Sequence, residues 1–293
     1  MHNHDHHDHH LEMGRKFLLG IILNFAFVLI ELGYGYQINS LSLLADAWHN
    51  LGDVAGLLIS WFAFKMATKS PTSSYTYGFS KGTILASLAN CVLLFIAVGS
   101  MGMDAFHRLH NVEHPDGMVV SIVAGIGVII NTLTALIFMR SNELNNRAAF
   151  LHMAADALVS VAVVAGGFAM TQWGWQWIDP VLGLGICVVI LWGTLSLFTS
   201  SLKLSLDGVP EGIDSLKIQN LVEEIDGVDK VRDMHLWAIS TTRNAFTATI
   251  LLKSTVSVDQ QESVKYEIRE LLYKHKIQHT TLETTYSLES LAS

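Results

Sequence analysis

Six stretches of this 293-residue chain are mainly apolar and more than twenty residues long, and few folds accommodate that. They run roughly over 14–36, 41–65, 81–106, 117–139, 147–171 and 179–203. About 20 mainly apolar residues suffice for a helix to cross a hydrocarbon core about 30 Å thick. In that medium each backbone N–H and C=O has to be satisfied within its own segment, which selects helices. Composition agrees: 51% of the residues are hydrophobic and 15% charged, against about 25% charged in a soluble domain. The first run lacks the basic flank and small-residue cleavage site of a signal peptide, so it is expected to remain as a span. An even number of spans puts both termini on one side. Arg15, Lys16, Lys65, Lys69, Lys81, Arg140, Arg147 and Lys203 fall on that side, and only Arg108 falls clearly on the other. The positive-inside rule therefore predicts cytoplasmic termini. The Trp residues of "WGWQW", 173–177, are expected to form an interfacial belt at the outer end of the fifth span.

The pattern changes at "LDGVPEG", residues 206–212, where Gly and Pro interrupt it and mixed charges become frequent. Three domains are expected: a His-rich tail over 1–13, a six-helix transmembrane domain over 14–206 and a cytoplasmic domain over 207–293. "IDSLKIQNLVEEI" has helical spacing. "VDKVRDMHLWAIS" and "NAFTATILLKS" read as strands around a turn at "TTRN". "DQQESVKYEIRELLYKH" reads as an amphipathic helix with Asp259 as N-cap, and "IQHTTLETTY" as a last strand. The order helix–strand–strand–helix–strand predicts a small α+β, ferredoxin-like domain with an antiparallel sheet.

Ionisable groups inside the apolar runs carry the chemistry. "ADAWHNLGDVAG" holds Asp46, His49 and Asp53, and "FLHMAADALVS" holds His152 and Asp156. Both contain HxxxD, and residues four apart share one helix face. Counted from the span ends, Asp53 lies about 18 Å and Asp156 about 13 Å into the membrane from opposite sides, so both fall near the midplane. An aspartate at that depth costs on the order of 3 kcal/mol on insertion scales. Two imidazoles and two carboxylates suit tetrahedral Zn²⁺, cancel its charge and accept protons when it leaves. One site that holds either a dication or protons is what a metal/proton exchanger requires. Paired His–Asp hydrogen bonds that merely hold helices together would leave the duplication at matching depth unexplained. Asp46 is open to two readings, an exit-path carboxylate or a solvated helix-start residue. Ser160 is expected to be a packing hydroxyl. Cys91 and Cys187 form no CxxC pair and are expected to fill the core. The net charge of −8 gives no reason to expect nucleic-acid binding.

Taken together, "SLSLLADAWHNLGD", "HMAADALVS", "WIDPVLGL" and "SLDGVP" resemble the cation diffusion facilitator family, in order and over nearly the whole chain. The resemblance implies a homodimer in the inner membrane that exports divalent metal from the cytoplasm in exchange for protons, by alternating access. It implies that His49, Asp53, His152 and Asp156 are the transport site, with Zn²⁺ and protons as substrates and no cofactor. A histidine at position 49 goes with zinc preference in the family, although imidazole also suits Co, Ni and Cu. This sequence departs from the family at Thr83, where many members carry Glu two residues after a basic residue, here Lys81. In the tail, positions where members often bind further metal are Arg232, Thr249 and Thr285, which leaves His235, His279 and Glu283 as candidates.

Six of the fourteen histidines, His2, His4, His6, His7, His9 and His10, lie in the first ten residues among Asn3, Asp5 and Asp8. Such a tract binds Zn²⁺ weakly and suits cytoplasmic metal capture. "DAFHRLHNVEHPDG" groups Asp104, His107, His110, Glu113, His114 and Asp116 on the outer side and is expected to be a solvated loop. An exporter of broader specificity (Cd, Co, Fe or Ni), an intramembrane zinc enzyme, a metal sensor and a channel are the rival readings. An enzyme is disfavoured because catalytic zinc usually keeps three protein ligands and an open position.

Overall fold

The computed structural model describes residues 22–111, 113–139 and 144–286. They divide into two compact units, one running through Leu58 and resuming over Asn90–Leu195, the other comprising Ile59–Ala89 and the chain from Ser196 onward. The N-terminal histidine tract lies outside the described residues.

The helices of the apolar region are α1 (22–37), α2 (Leu41–Ala67), α3 (Gly82–His110), α4 (Gly117–Met139), α5 (Leu144–Trp173) and α6 (Ile178–Ser205). Among the described residues, four stretches are long and apolar enough to cross a membrane: all of α3 and α6, Gly117–Leu136 of α4 and Phe150–Trp173 of α5. α2 has the length, at 27 residues, but carries Asp46, His49, Asn50 and Asp53 within it.

In the first unit, α4 and α5 pack closely because small residues meet. A Cβ on Gly167 would lie 2.6 Å from the carbonyl oxygen of Gly117 and 2.5 Å from Ser121 Oγ. The Ser121 hydroxyl donates across this contact to the Val164 carbonyl at 3.0 Å. Without a hydrophobic drive between helices in lipid, such close backbone approach and interhelical hydrogen bonding hold spans together.

The start of α2 is held from a distance in sequence. Asp179, in the first turn of α6, is almost fully buried. Its carboxylate accepts from the backbone N–H of Leu41 (2.6 Å) and Ser42 (3.2 Å), and from the hydroxyls of Ser40 (2.6 Å) and Ser42. A helix start leaves its first N–H groups unpaired, and a carboxylate there also meets the positive end of the helix dipole. Nearby, Arg108 donates to the Asn39 carbonyl at 2.6 Å and pairs with Asp104 and Glu113. Asp116 caps α4 by accepting from Met118 N. Asp104, Glu113 and Asp116 are thus engaged locally. Trp173, Trp175 and Trp177 expose neighbouring rings, tilted between the first two (centroids 5.1 Å apart) and stacked between the last two (6.3 Å). Both cysteines are free and buried.

The second unit contains the tail. Its elements are α7 (Ser215–Glu223), β1 (Val228–Ala238), β2 (Asn244–Leu252), α8 (Val258–Lys274) and β3 (His279–Thr285). The element order follows the sequence pattern, but the sheet is mixed and not antiparallel. β1 and β2 pair antiparallel across a short turn, whereas β2 and β3 pair parallel. The physical reason is α8: a helix between two strands carries the chain back to the end where the first strand began, so the second runs parallel. The fourth strand of a complete ferredoxin-like unit is not among the described residues. Ser257, and not Asp259, is the N-cap of α8, with its N–H donating to Gln260 Oε1 at 2.9 Å. Asp259 sits in the first turn, where its charge suits the helix dipole. Ile218 and Val222 of α7 and Val264, Ile268 and Leu272 of α8 pack with Phe246 and Ile250 of the central strand into one core. Lys81 pairs with Asp207 at 2.6 Å, and Thr83 Oγ1 accepts the Thr241 N–H at 3.1 Å. The ion pair is exposed on both sides and contributes little by itself.

Asp179→Ala removes the cap of α2 and leaves buried donors unpaired, so it should cost on the order of 2 kcal/mol. A thermal melt in detergent should show a lowered Tm, with Asp179→Asn recovering part of the loss. Phe246→Ala should cost about 3–5 kcal/mol. Hydrogen exchange would reveal this as deprotection concentrated in β1, β2 and β3, and exchange limited to other helices would contradict the core assignment.

Candidate metal centre

The site residues come from the middles of α2 and α5, within the first unit. On each helix a histidine and an aspartate four residues later share a face. The two HxxxD pairs cross. His49 Nε2 lies 3.3 Å from Asp156 Oδ1, and His152 Nε2 lies 3.0 Å from Asp53 Oδ2. Within each helix the contacts are longer, 4.0 Å from His49 to Asp53 and 3.8 Å from His152 to Asp156. Reciprocal pairing of this kind follows when two helices run antiparallel: four residues forward on one meet four residues back on the other. The imidazoles stand edge to face with centroids 6.0 Å apart.

One ligand atom each from His49, Asp53 and Asp156 lies within 4.8 Å of the others, and this is the one such group of three among the described residues. His152 joins them through its contacts to both aspartates. Burial is graded. The Asp156 side chain is 3% exposed, His49 18%, Asp53 32% and His152 43%. Asp156 is therefore the floor of the site and His152 its open rim. A tetrahedral ion with bonds of about 2.0–2.1 Å sets adjacent donors about 3.3 Å apart. Contacts of 3.0, 3.3, 3.8 and 4.0 Å bracket that spacing for the four His–Asp pairs.

Asp46 is fully buried, which rules out the reading as a solvated helix-start residue. Its Oδ2 accepts from the buried Ser160 hydroxyl at 3.1 Å. Ser160 is thus a helix-joining hydroxyl. Sequence reasoning passed over Glu31 of α1, which is also fully buried. A single carboxylate inside an otherwise apolar run was the available signal, masked by its position near the end of the run.

The tail candidates stay apart. His235 is opposite Thr247 on β2, and its Nε2 contacts the exposed Asp233 at 3.1 Å. The His279 ring packs edge-on against Tyr77. Glu283 Oε2 accepts from Thr249 Oγ1 at 3.2 Å. His279 and Glu283 sit four residues apart on one strand, about 13 Å along its axis, which is too far to share an ion.

Comparison with known proteins matches both parts of the chain in order. Residues 17–204 match the cation efflux transmembrane domain, and residues 210–283 match the cation efflux protein cytoplasmic domain. The cadmium, cobalt and zinc/H⁺-K⁺ antiporter of Bacillus subtilis is 28% identical over 282 residues, covering 94% of this chain and 91% of that protein. The metal cation efflux system protein CzcD of Cupriavidus metallidurans is 29% identical over 280 residues, covering 94% of this chain and 88% of that protein. The zinc transporter ZitB of Escherichia coli is 27% identical over 293 residues, covering 97% and 92%. The helical membrane part and the mixed-sheet tail of this chain each match the corresponding family domain, so this chain belongs to the cation efflux, or cation diffusion facilitator, family of multi-pass membrane transporters, and it is not an enzyme.

Proposed function

We propose that the chain exports Zn²⁺ from the cytoplasm in exchange for protons, by alternating access at His49, Asp53, His152 and Asp156. The observation that carries this reading is the crossed convergence of the two HxxxD pairs. Two carboxylates neutralise a dication, and two imidazoles supply the borderline-soft donors that Zn²⁺ favours. The same four groups take up protons when the ion departs. In this reading all six apolar runs cross the inner membrane, with both termini in the cytoplasm. The antiparallel relation of α2 and α5 supports that count, because the second and fifth spans of an up–down bundle run in opposite directions. The domains are the tail over 1–13, the transport domain over 14–206 and the cytoplasmic domain over 207–293. The family domain matched at 210–283 supports a homodimer held by that last part. The N-terminal histidines serve as a capture tract, and His235, His279 and Glu283 act as ordinary strand residues.

A second reading is an exporter that also takes cadmium and cobalt. It draws support from the name of the Bacillus subtilis relative and from the tolerance of imidazole and carboxylate donors for several divalent ions.

Reconstituted into proteoliposomes, the wild-type chain should admit Zn²⁺ while protons leave in fixed proportion. Flux without proton movement would mean a channel or uniporter. Competition by Cd²⁺ or Co²⁺ at equal concentration separates the two metal ranges. Asp156→Ala, which removes the buried floor of the site, should lower Zn²⁺ flux at least about 100-fold while leaving a folded dimer by size-exclusion chromatography. Wild-type flux in that variant would show that the site lies elsewhere. His152→Ala, at the exposed rim, should weaken Zn²⁺ binding by about 10- to 100-fold in equilibrium dialysis.

A further inference from the structure

Beside the candidate metal centre, α1 and α2 bring together a second pair of carboxyl groups that the exchange reading leaves unassigned. Glu31 and Asp46 are both fully buried, and their carboxyls interact with each other. Asp46 Oδ2 accepts a hydrogen bond from the Ser160 hydroxyl. Both oxygens of Glu31 and Oδ1 of Asp46 have no hydrogen-bond partner among the described residues. A further buried polar atom points the same way. Asn50, one turn along α2, faces Glu31, and its Nδ2 is buried and equally unpartnered. The surroundings are closed by packing. Phe27, one turn before Glu31, is 1% exposed, and its ring fills the space where a Cβ on Gly127 of α4 would lie, 2.6 Å away.

Two adjacent carboxylates in an apolar interior repel each other and have lost their hydration, so the pair needs a neutralising partner. A hard divalent cation takes six or more oxygen ligands in the case of Ca²⁺, or an octahedral set in the case of Mg²⁺. The pair offers three free oxygens. Zn²⁺ favours imidazole or thiolate donors, and neither Glu31 nor Asp46 supplies one. A single proton fits. Carried on Glu31 and donated to Asp46 Oδ1, it makes a charge-assisted O–H···O bond and satisfies two of the three orphan oxygens at once.

We propose that Glu31 is a proton-carrying station of the transporter, separate from the metal ligands, that holds one proton against Asp46 when no metal is bound. This rests on the metal-exchange reading given above. Asp46 is close enough to His49 of α2 and Asp156 of α5 to feel their charges. Glu31 is turned toward Asp46 and Asn50 of α2. α4 carries no ionisable residue. A dication at the four-residue site therefore acts on the pair through Asp46. Zn²⁺ brings two positive charges; its own ligands give up one proton, so one net positive charge develops beside the pair, the O–H bond of Glu31 breaks, its proton leaves to water, and the carboxylate pair is held opposite that charge. When it departs, Glu31 takes up a proton again. Each transported metal thus moves one proton more than its own ligands exchange.

The test uses the full-length chain in detergent with Zn²⁺ alone as the probe. Zn²⁺ binding, the protons released on binding, and the infrared carbonyl stretch of protonated carboxyl groups are measured together. Wild type should lose a carboxyl band on Zn²⁺ addition. Glu31→Gln should keep Zn²⁺ binding, lack that band, and release about one proton fewer per ion. Asp46→Asn, which keeps the shape but changes the acceptor, should shift the band in frequency, and it serves if Glu31→Gln does not fold. Equal proton release and an unchanged band in Glu31→Gln, or an unmoved band in Asp46→Asn, overturn the assignment to Glu31 and leave the exchange reading standing. Failure of wild type to bind Zn²⁺ removes both.

Discussion

The cost of holding charge inside a membrane governs this structure. An aspartate at the centre of a spanning helix costs on the order of 3 kcal/mol; in the proposed six-span arrangement α2 carries two, Asp46 and Asp53, and the apolar stretch of α5 adds Asp156. Such groups persist when each finds a partner. Asp53 and Asp156 find theirs in the histidines of the opposite helix, at 3.0 and 3.3 Å. The contacts are reciprocal, so they fix the height of α2 against α5. A slip of one turn would separate all four side chains.

That alignment depends in turn on devices that lie away from the site. Asp179 holds the first turn of α2 through backbone and hydroxyl contacts. Close approach at Gly117, Ser121 and Gly167 sets α4 against α5. These residues touch nothing in the site, yet they determine where His49 and His152 stand. In a medium that supplies no hydrophobic drive between helices, small residues and buried polar caps take over that role.

Burial separates the carboxyl groups by environment. Asp53 lies toward the open rim, Asp156 on the floor, and Glu31 with Asp46 in a closed pocket one step further in. Groups that meet solvent easily suit ion entry and release. Groups sealed behind Phe27 exchange nothing larger than a proton without rearrangement. The tail, by contrast, is organised as an ordinary soluble core around Phe246 and Ile250, with its ionisable residues spread over the strands and not gathered.

The helices were legible from the sequence because hydrocarbon selects long apolar runs whatever surrounds them. The runs 81–106, 117–139 and 179–203 correspond to α3, α4 and α6 within a few residues. The HxxxD spacing was legible too, because four residues make about one helical turn. The crossed partnership, His49 with Asp156 and His152 with Asp53, belongs to the tertiary structure, since it depends on two helices running antiparallel at one height. So does the pairing of Glu31 with Asp46, which joins residues from different helices. In the tail, periodicity was enough to delimit strands and helices, but it carries no information on strand direction. The parallel pairing of β2 with β3 was settled by the path of α8 over the sheet. Local patterns report what each segment does with its own backbone and its own faces. Which face meets which is decided only when burial has to be satisfied for all segments at once.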